Sequence, residues 1–220
     1  MSTWTVVVAA GSGTRFGGDK QLADLSGMAV LVRSVASASA VSAGVVVVVS
    51  AGRRAAVSGV LSGLERVEAI VDGGATRSES VRCGLAAVPD GAGVVLVHDG
   101  ARPLATPDLF RRVVDAVLAG AVAVVPGVPV TDSLRTADGR VMARDDVIAV
   151  QTPQGFNAER LRSAHAGGGE ASDDATLVEA AGGTVVVVEG EASNLKITRP
   201  ADLDLARLEL ERIVAGSSDA

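Results

Sequence analysis

The chain opens on a β-branched run, Thr5-Val6-Val7-Val8, that breaks into Ala9-Ala10-Gly11-Ser12-Gly13-Thr14-Arg15-Phe16-Gly17-Gly18-Asp19-Lys20-Gln21. A strand that is apolar on both faces must be covered on both, which demands a parallel sheet between helical layers. Glycines straight after such a strand allow a tight turn and bring backbone N–H groups close to a ligand. Arg15 and Lys20 then add positive charge, so the stretch reads as a strand delivering a phosphate-binding loop.

Helical and strand periods alternate downstream. Ala29 to Ala40 carries Val32, Val35 and Ala36 at helical spacing, Val45 to Val49 reads as a strand, Arg53 to Leu64 as a helix, and Val67 to Val71 as a strand ending in Asp72-Gly73-Gly74. Two Gly-rich turns after strands point to a ligand lying across strand ends. Thr76 to Ala87 reads as a helix with Arg77, Ser78 and Ser80 near its start, where free N–H groups favour an anion or a polar base edge. Thr76 or Ser78 also suits an N-cap there. Val94 to Val97 is another buried-strand run, and it ends in His98-Asp99-Gly100-Ala101-Arg102-Pro103. Asp99 suits a Mg²⁺ ligand sharing phosphate oxygens; the alternative is that it pairs with Arg102 or caps the helix starting near Pro107.

After helix Pro107 to Ala119 and strand Ala121 to Val125 the rhythm changes. Short extended runs, Val128 to Arg135 and Val147 to Thr152, flank Ala137-Asp138-Gly139-Arg140, and Asp-Gly between such runs is a hairpin signal. Residues 129–150 therefore read as a protruding β-arm, which has too little core to stand alone and is better explained by packing on another subunit. Helix Ala158 to Ala166 places His165 on its surface. Ser172-Asp173-Asp174-Ala175 reads as a helix N-terminus rather than a metal-ligand pair. Thr184 to Val188 is the final strand, Leu203 to Val214 is helical, and 216–220 should fray. The expected fold class is α/β: a Rossmann-like three-layer sandwich with a mainly parallel sheet plus the β-arm, in one domain over 1–220.

Composition narrows the function. The formal charge of −6 argues against general nucleic-acid binding, so any anion site must be local. No stretch reaches the roughly 20 apolar residues of a membrane span, and no signal-like segment opens the chain. The single cysteine, Cys83, permits no internal disulfide, and a reducing, cytoplasmic setting is expected. Of the 20 basic residues only Lys20 and Lys196 are lysines, and both fall in motif-like segments.

Two familiar phosphate loops fail against the opening stretch. Gly13 and Gly18 have the Walker spacing, but Asp19 follows where Lys should stand; the dinucleotide pattern would need glycine at Phe16, leaving an NAD enzyme a distant alternative. The pattern Ala-Ala-Gly-x-Gly-x-Arg followed by Lys20-Gln21 resembles the opening of sugar-phosphate nucleotidyltransferases. Further segments are more specific: Gly73-Gly74 with Arg77 and Ser80-Val81, Val97 to Pro103, Thr152-Pro153-Gln154, and Asn194-Leu195-Lys196-Ile197-Thr198-Arg199-Pro200-Ala201-Asp202-Leu203. Together, and in this order across nearly the whole chain, they resemble the 2-C-methyl-D-erythritol 4-phosphate cytidylyltransferase family.

The resemblance implies transfer of CMP from CTP to 2-C-methyl-D-erythritol 4-phosphate, with Mg²⁺ as cofactor, in the non-mevalonate isoprenoid precursor pathway. It implies that Ala9, Ala10, Gly11, Ser12 and Gly13, with Gly74, Ala75 and Ala101, surround the nucleotide, and that Ser80 touches the base. Arg15 and Lys20 would grip the triphosphate, and Asp99 would sit by Mg²⁺ and substrate. Arg102 and Ser133 would line the erythritol phosphate pocket, with Thr152 and Arg144 facing it, and Lys196 would contact the reacting phosphate. Family members dimerise through the arm, so Ser133 and Arg144 would serve a partner subunit's site in a homodimer. Two departures stand out. The loop from Arg15 to Lys20 is shorter than the common form, with Asp19 where a proline usually precedes the lysine, and Gly100 replaces a usual alanine. Rival readings are a cytidylyltransferase for another polyol phosphate such as ribitol 5-phosphate, and a non-catalytic nucleotide-binding homologue.

Overall fold

The structure is a computed structural model that describes residues 1–11 and 13–218. Strand β1 (Ser2–Ala9) leads through the glycine loop and a small antiparallel pair, β2 (Asp24–Leu25) and β3 (Met28–Ala29), into α1 (Val30–Ser39). Next come β4 (Gly44–Val49), α2 (Arg54–Leu61), β5 (Val67–Asp72), α3 (Arg77–Ala86), β6 (Ala92–Asp99), α4 (Pro107–Leu118) and β7 (Ala123–Pro129). A short ribbon of β8 (Leu134–Arg135) and β9 (Val141–Met142) follows, then β10 (Ile148–Val150), β11 (Gln154–Asn157), α5 (Ala158–Ala166), α6 (Asp174–Ala180), β12 (Val185–Glu189) and α7 (Pro200–Ser218).

The valine runs are buried because both faces of the sheet are roofed. Val45, Val47 and Val49 pack with Leu31, Val35, Val57, Leu61 and Phe110 beneath α1, α2 and α4. Val46 and Val48 alternate to the other face, against Val81 and Leu85 of α3, which shares its layer with Leu161 of α5 and Val178 of α6. The fold is thus the expected α/β layering around a mainly parallel sheet.

Strand order is β10-β7-β11-β6-β1-β4-β5, with β12 parallel to β7. Gly127 of β7 pairs with both Val150 and Glu189, so β12 takes one edge of β7 while β10 and β11 share the other. The chain walks outward from β1 to β4 to β5, then returns with β6 to the opposite side of β1. Connections diverge at that reversal and leave a crevice at the C-terminal ends of β1 and β6.

Three local expectations change. Gln154-Gly155-Phe156-Asn157 carries no strand pattern, yet it forms β11 because β6 and β7 offer it partners on both sides. His165 is buried rather than on the surface, since α5 packs on α6 and its Nε2 lies 3.1 Å from Asp174 Oδ1. α7 runs Pro200–Ser218, longer at both ends than the helix expected over 203–214; Asp219 and Ala220 lie outside the described residues. Residues 129–150 contain the exposed β8–β9 ribbon, turned at Gly139 (φ +90), and no other described strand pairs with it. No helix among the described residues is long and apolar enough to cross a membrane.

Gly84 of α3 faces the sheet so closely that a Cβ would collide with the Val6 side chain and lie 2.9 Å from Val48 Cγ2. Gly84→Ala gains about 1 kcal/mol of helix propensity but overpacks this contact at a cost of about 1–3 kcal/mol. The expected net outcome is a lower urea midpoint in equilibrium unfolding; an unchanged or raised midpoint would show slack between α3 and the sheet.

Candidate active site at the β1–β6 switch point

The glycine loop is shaped by its own backbone. The Phe16 and Gly17 N–H groups both donate to the Gly13 carbonyl, at 2.9 and 3.1 Å. Gly13 has φ +65, and a Cβ on it would sit 2.5 Å from the Gly18 carbonyl oxygen, so only glycine permits this crossing. Phe16 packs against the small apolar cluster of Leu25, Leu104, Ile197 and Ala206 and pins the loop to the molecule. Lys20 then turns inward, its Nζ donating to the Ile197 carbonyl at 3.3 Å.

Ala10, Gly11, Arg15, Lys20, Gly74, Ala75, Ser80, Asp99, Ala101 and Lys196 all line one cleft of about 420 Å³ at the switch point. Ala9 and Gly13 line an adjoining cavity of about 490 Å³, and Lys20 borders both. Ser12 lies outside the described residues. Arg102 and Thr152 are behind the cleft wall: Arg102 Nη1 donates to the Asn194 carbonyl at 2.7 Å, and Thr152 is buried with its hydroxyl 3.0 Å from the Asp99 N–H. Ser133 and Arg144 are exposed on the ribbon segment and are not brought to the cleft of their own chain; Arg144 Nη1 donates to the Thr131 carbonyl at 2.9 Å.

The two lysines of the sequence converge. Lys196 Nζ is 2.7 Å from Asp99 Oδ2, so Asp99 pairs chiefly with Lys196, while Arg77 Nε stands at 3.9 Å and Arg102 Nε at 4.0 Å. Burial alone would raise the Asp99 pKa, but Lys196, Arg77 and Arg102 outweigh it and hold the carboxyl below its ordinary value. Burial, and then the charge of Lys196, push the Lys20 pKa down from the usual lysine value. Asp99 is the one carboxylate among the described residues lining the cleft, against the cations Arg15, Lys20, Arg77 and Lys196.

Three residues absent from the expected site shape it. Thr76 and Glu79 form a capping box: the Thr76 hydroxyl accepts from the Glu79 N–H at 3.1 Å, and Glu79 Oε2 accepts from the Ala75 and Thr76 N–H groups at 2.6 and 3.2 Å. That bracket fixes the Gly74-Ala75 turn, and the Thr-x-x-Glu spacing is its visible sequence signal. Ser80 follows one turn later, its hydroxyl donating to the Thr76 carbonyl at 2.8 Å. Arg77 is anchored from behind, with Nη1 2.8 Å from Oδ2 of Asp174, a carboxylate with no exposed surface. Asp173 does cap α6, accepting from the Thr176 N–H at 2.9 Å, and its neighbour turns inward to hold the arginine.

This assembly has close relatives. The sequence pattern of the IspD family, 2-C-methyl-D-erythritol 4-phosphate cytidylyltransferase, matches residues 3–212. The chain belongs to this family. A 2-C-methyl-D-erythritol 4-phosphate cytidylyltransferase of Rhodococcus jostii is 44% identical, with 94% of each chain covered. A bifunctional enzyme IspD/IspF of Clavibacter michiganensis is 43% identical over 98% of this chain, which spans only 56% of that relative's length. The crystal structure of the Thermus thermophilus 2-C-methyl-D-erythritol 4-phosphate cytidylyltransferase superposes with a TM-score of 0.76 at 37% identity, covering 94% of this chain and 98% of the other.

The two neighbouring acids of this IspD-family chain separate cap from anchor. Asp173→Ala removes a cap, worth about 1 kcal/mol. Asp174→Ala strips Arg77 of a fully buried counter-charge, and breaking such a pair costs about 3–5 kcal/mol. Denaturant titration of both variants is expected to show the larger loss at Asp174; equal losses would reduce Asp174 to a second cap.

Proposed function

We propose that this chain transfers CMP from CTP to 2-C-methyl-D-erythritol 4-phosphate, giving 4-diphosphocytidyl-2-C-methyl-D-erythritol and pyrophosphate. The observation that carries this reading is the convergence of Arg15, Lys20, Asp99 and Lys196, from three separate stretches, on one cleft at the switch point of an IspD-family fold. The nucleophile is a phosphate-monoester oxygen, already anionic, so no general base is needed at the attacking atom. Catalysis then rests on aligning two polyanions and neutralising charge as it moves to the leaving pyrophosphate. Arg15 and Lys20, beside the loop backbone, suit the triphosphate. Lys196 suits the reacting phosphate, and the capped Gly74-Ala75 turn with Ser80 suits the cytosine and ribose.

Asp99 fits a role beside Mg²⁺. That ion is commonly held by one or two carboxylates with substrate phosphates and water completing the shell, so a lone acid in a cleft built for a triphosphate is a sufficient protein contribution. When bound, the ion would neutralise charge on the phosphates; Lys196 would exchange its contact with Asp99 for one with phosphate.

Ser133 and Arg144 enter the same reading through a homodimer in which the 129–150 segment of each subunit reaches the other's cleft. Exposed Val141, Met142, Ile148 and Val150 along that segment support a buried subunit contact. Deleting residues 132–146 is expected to give a smaller species in light scattering and to abolish turnover. A fully active protein of unchanged mass would remove the arm from the mechanism.

Pyrophosphate release with CTP, Mg²⁺ and either methylerythritol phosphate or ribitol 5-phosphate tests the main reading; release with the former is expected, and release with neither would leave a nucleotide-binding homologue. Lys20→Ala should lower turnover roughly 10²- to 10³-fold, the scale of one lost preorganised donor. A rate within about twofold of wild type ends its proposed role. Because Lys20 surrenders its proton below the ordinary lysine value, activity dependent on its charge fails early on the alkaline side, and Lys20→Arg should move that limb of the kcat/KM profile upward.

A further inference from the structure

His98 is fully buried beside Asp99 yet has no part in the chemistry described so far. Alternation along β6 sends its ring to the α4 side of the sheet, where it packs 4.9 Å from Phe110. Among the described residues its two nitrogens face only a carbonyl and a hydroxyl, and full burial with no carboxylate hydrogen-bonded to the ring keeps the imidazole neutral. A neutral imidazole carries one N–H, and its second nitrogen can only accept.

The surroundings decide which nitrogen holds the hydrogen. His98 Nε2 faces the Arg102 carbonyl at 3.3 Å, and a carbonyl only accepts, so Nε2 is the donor. Nδ1 is then bare, and the Thr152 hydroxyl 3.1 Å away must donate to it. The same Thr152 oxygen accepts from the Asp99 N–H at 3.0 Å. The Thr152 carbonyl, which also neighbours the ring, takes the Asn194 side-chain amide at 3.0 Å. In the Nε2–H tautomer every link has one direction: Asp99 N–H to Thr152 oxygen, Thr152 O–H to His98 Nδ1, and His98 Nε2–H to Arg102. The Thr152 proton is committed, so none remains for a phosphate.

We propose that His98, as the Nε2–H tautomer, is a positioning residue that fixes the Asp99–Arg102 turn through the Thr152 hydroxyl, and that Thr152 serves this relay instead of donating to the polyol phosphate. The proposal rests on the function given above. Its structural consequence is a turn held from three sides. The Arg102 N–H donates to the Asp99 carbonyl at 3.0 Å, the Arg102 guanidinium donates to the Asn194 carbonyl, and the Ala101 carbonyl accepts from the Ile197 N–H at 2.8 Å. The relay therefore braces Asp99 and the backbone beside Lys196 together.

The chain has two histidines, so long-range ¹H–¹⁵N spectra of the labelled protein resolve both rings. A His98 ring with Nε2 protonated and Nδ1 bare at neutral pH is expected; a protonated Nδ1 overturns the relay without reference to activity. In the pyrophosphate assay, Thr152→Val is expected to lower kcat about 10²-fold, the scale of a 1 Å misplacement. Its KM for methylerythritol phosphate should stay within about threefold, Thr152→Ser should recover most of kcat, and the His98→Asn/Thr152→Val double variant should be no slower than the slower single variant. A Thr152→Val effect confined to that KM, or losses that multiply in the double variant, overturns the proposal. Wild-type protein that releases no pyrophosphate from CTP sinks the transferase reading instead, and the tautomer still decides the relay.

Discussion

The site depends on keeping Asp99 ionised at the end of a buried strand. Removing a carboxylate from water costs several kcal/mol unless charge and hydrogen bonds are brought to it. Here three cations arrive from three parts of the chain: Lys196 at 2.7 Å from the loop after β12, Arg77 at 3.9 Å from the start of α3, and Arg102 at 4.0 Å from the turn that follows β6. Each is held elsewhere as well. Arg77 is backed by Asp174, Arg102 by the Asn194 carbonyl, and the Lys196 segment by the Ile197 N–H bond to Ala101. One carboxylate thereby ties the β12–α7 connection, α3 and α6 to the carboxyl end of β6.

Under the proposed transferase reading, the same arrangement explains how an acidic chain of net charge −6 would receive a polyanion. Among the described residues, four cations line the cleft and Asp99 is the carboxylate that offsets them there. Asp99 keeps the arginines and lysines from repelling one another while leaving the cleft positive, and incoming phosphates can take over part of that counter-charge. Burial of Lys20 beside Lys196 is eased in the same way: the Asp99 carboxylate that pairs with Lys196 also offsets the repulsion felt by Lys20.

Much of this was legible in the sequence, and the limits have physical causes. Runs such as Val45 to Val49 announce a strand covered on both faces, and the structure covers both. The glycine loop, the turn after β5 and the acid at the end of β6 carry their chemistry in local spacing, and they meet in one cleft. β11 was not legible, because its strand character is conferred by β6 and β7 and not by its own four residues. The Arg77–Asp174 anchor and the buried His165 depend on partners distant in sequence or on helix packing, which periodicity does not encode. Thr152 illustrates the finer limit. The Thr152-Pro153-Gln154 motif is visible in the sequence, but the direction of the Thr152 hydroxyl is set by a histidine near the end of β6.

The short link before Lys20 is closed by contacts of its own. Gly13 and Gly18 cross closely enough that the loop needs no further residues to return to the cleft. Asp19, standing where a proline is usual, then directs its carboxylate away from Asp99: one oxygen accepts from the Gln21 N–H at 3.2 Å and the other pairs with Arg53 across the adjoining cavity. A second carboxylate in the cleft would have offset a cation that the proposed triphosphate site uses. Turned outward, it fastens the loop to the start of α2, and the next residue, Lys20, is left pointing at Ile197 and the cleft. The Asp19–Arg53 pair and the Phe16 anchor thus hold this short loop on both sides, so Lys20 leaves it from a backbone fixed by its neighbours.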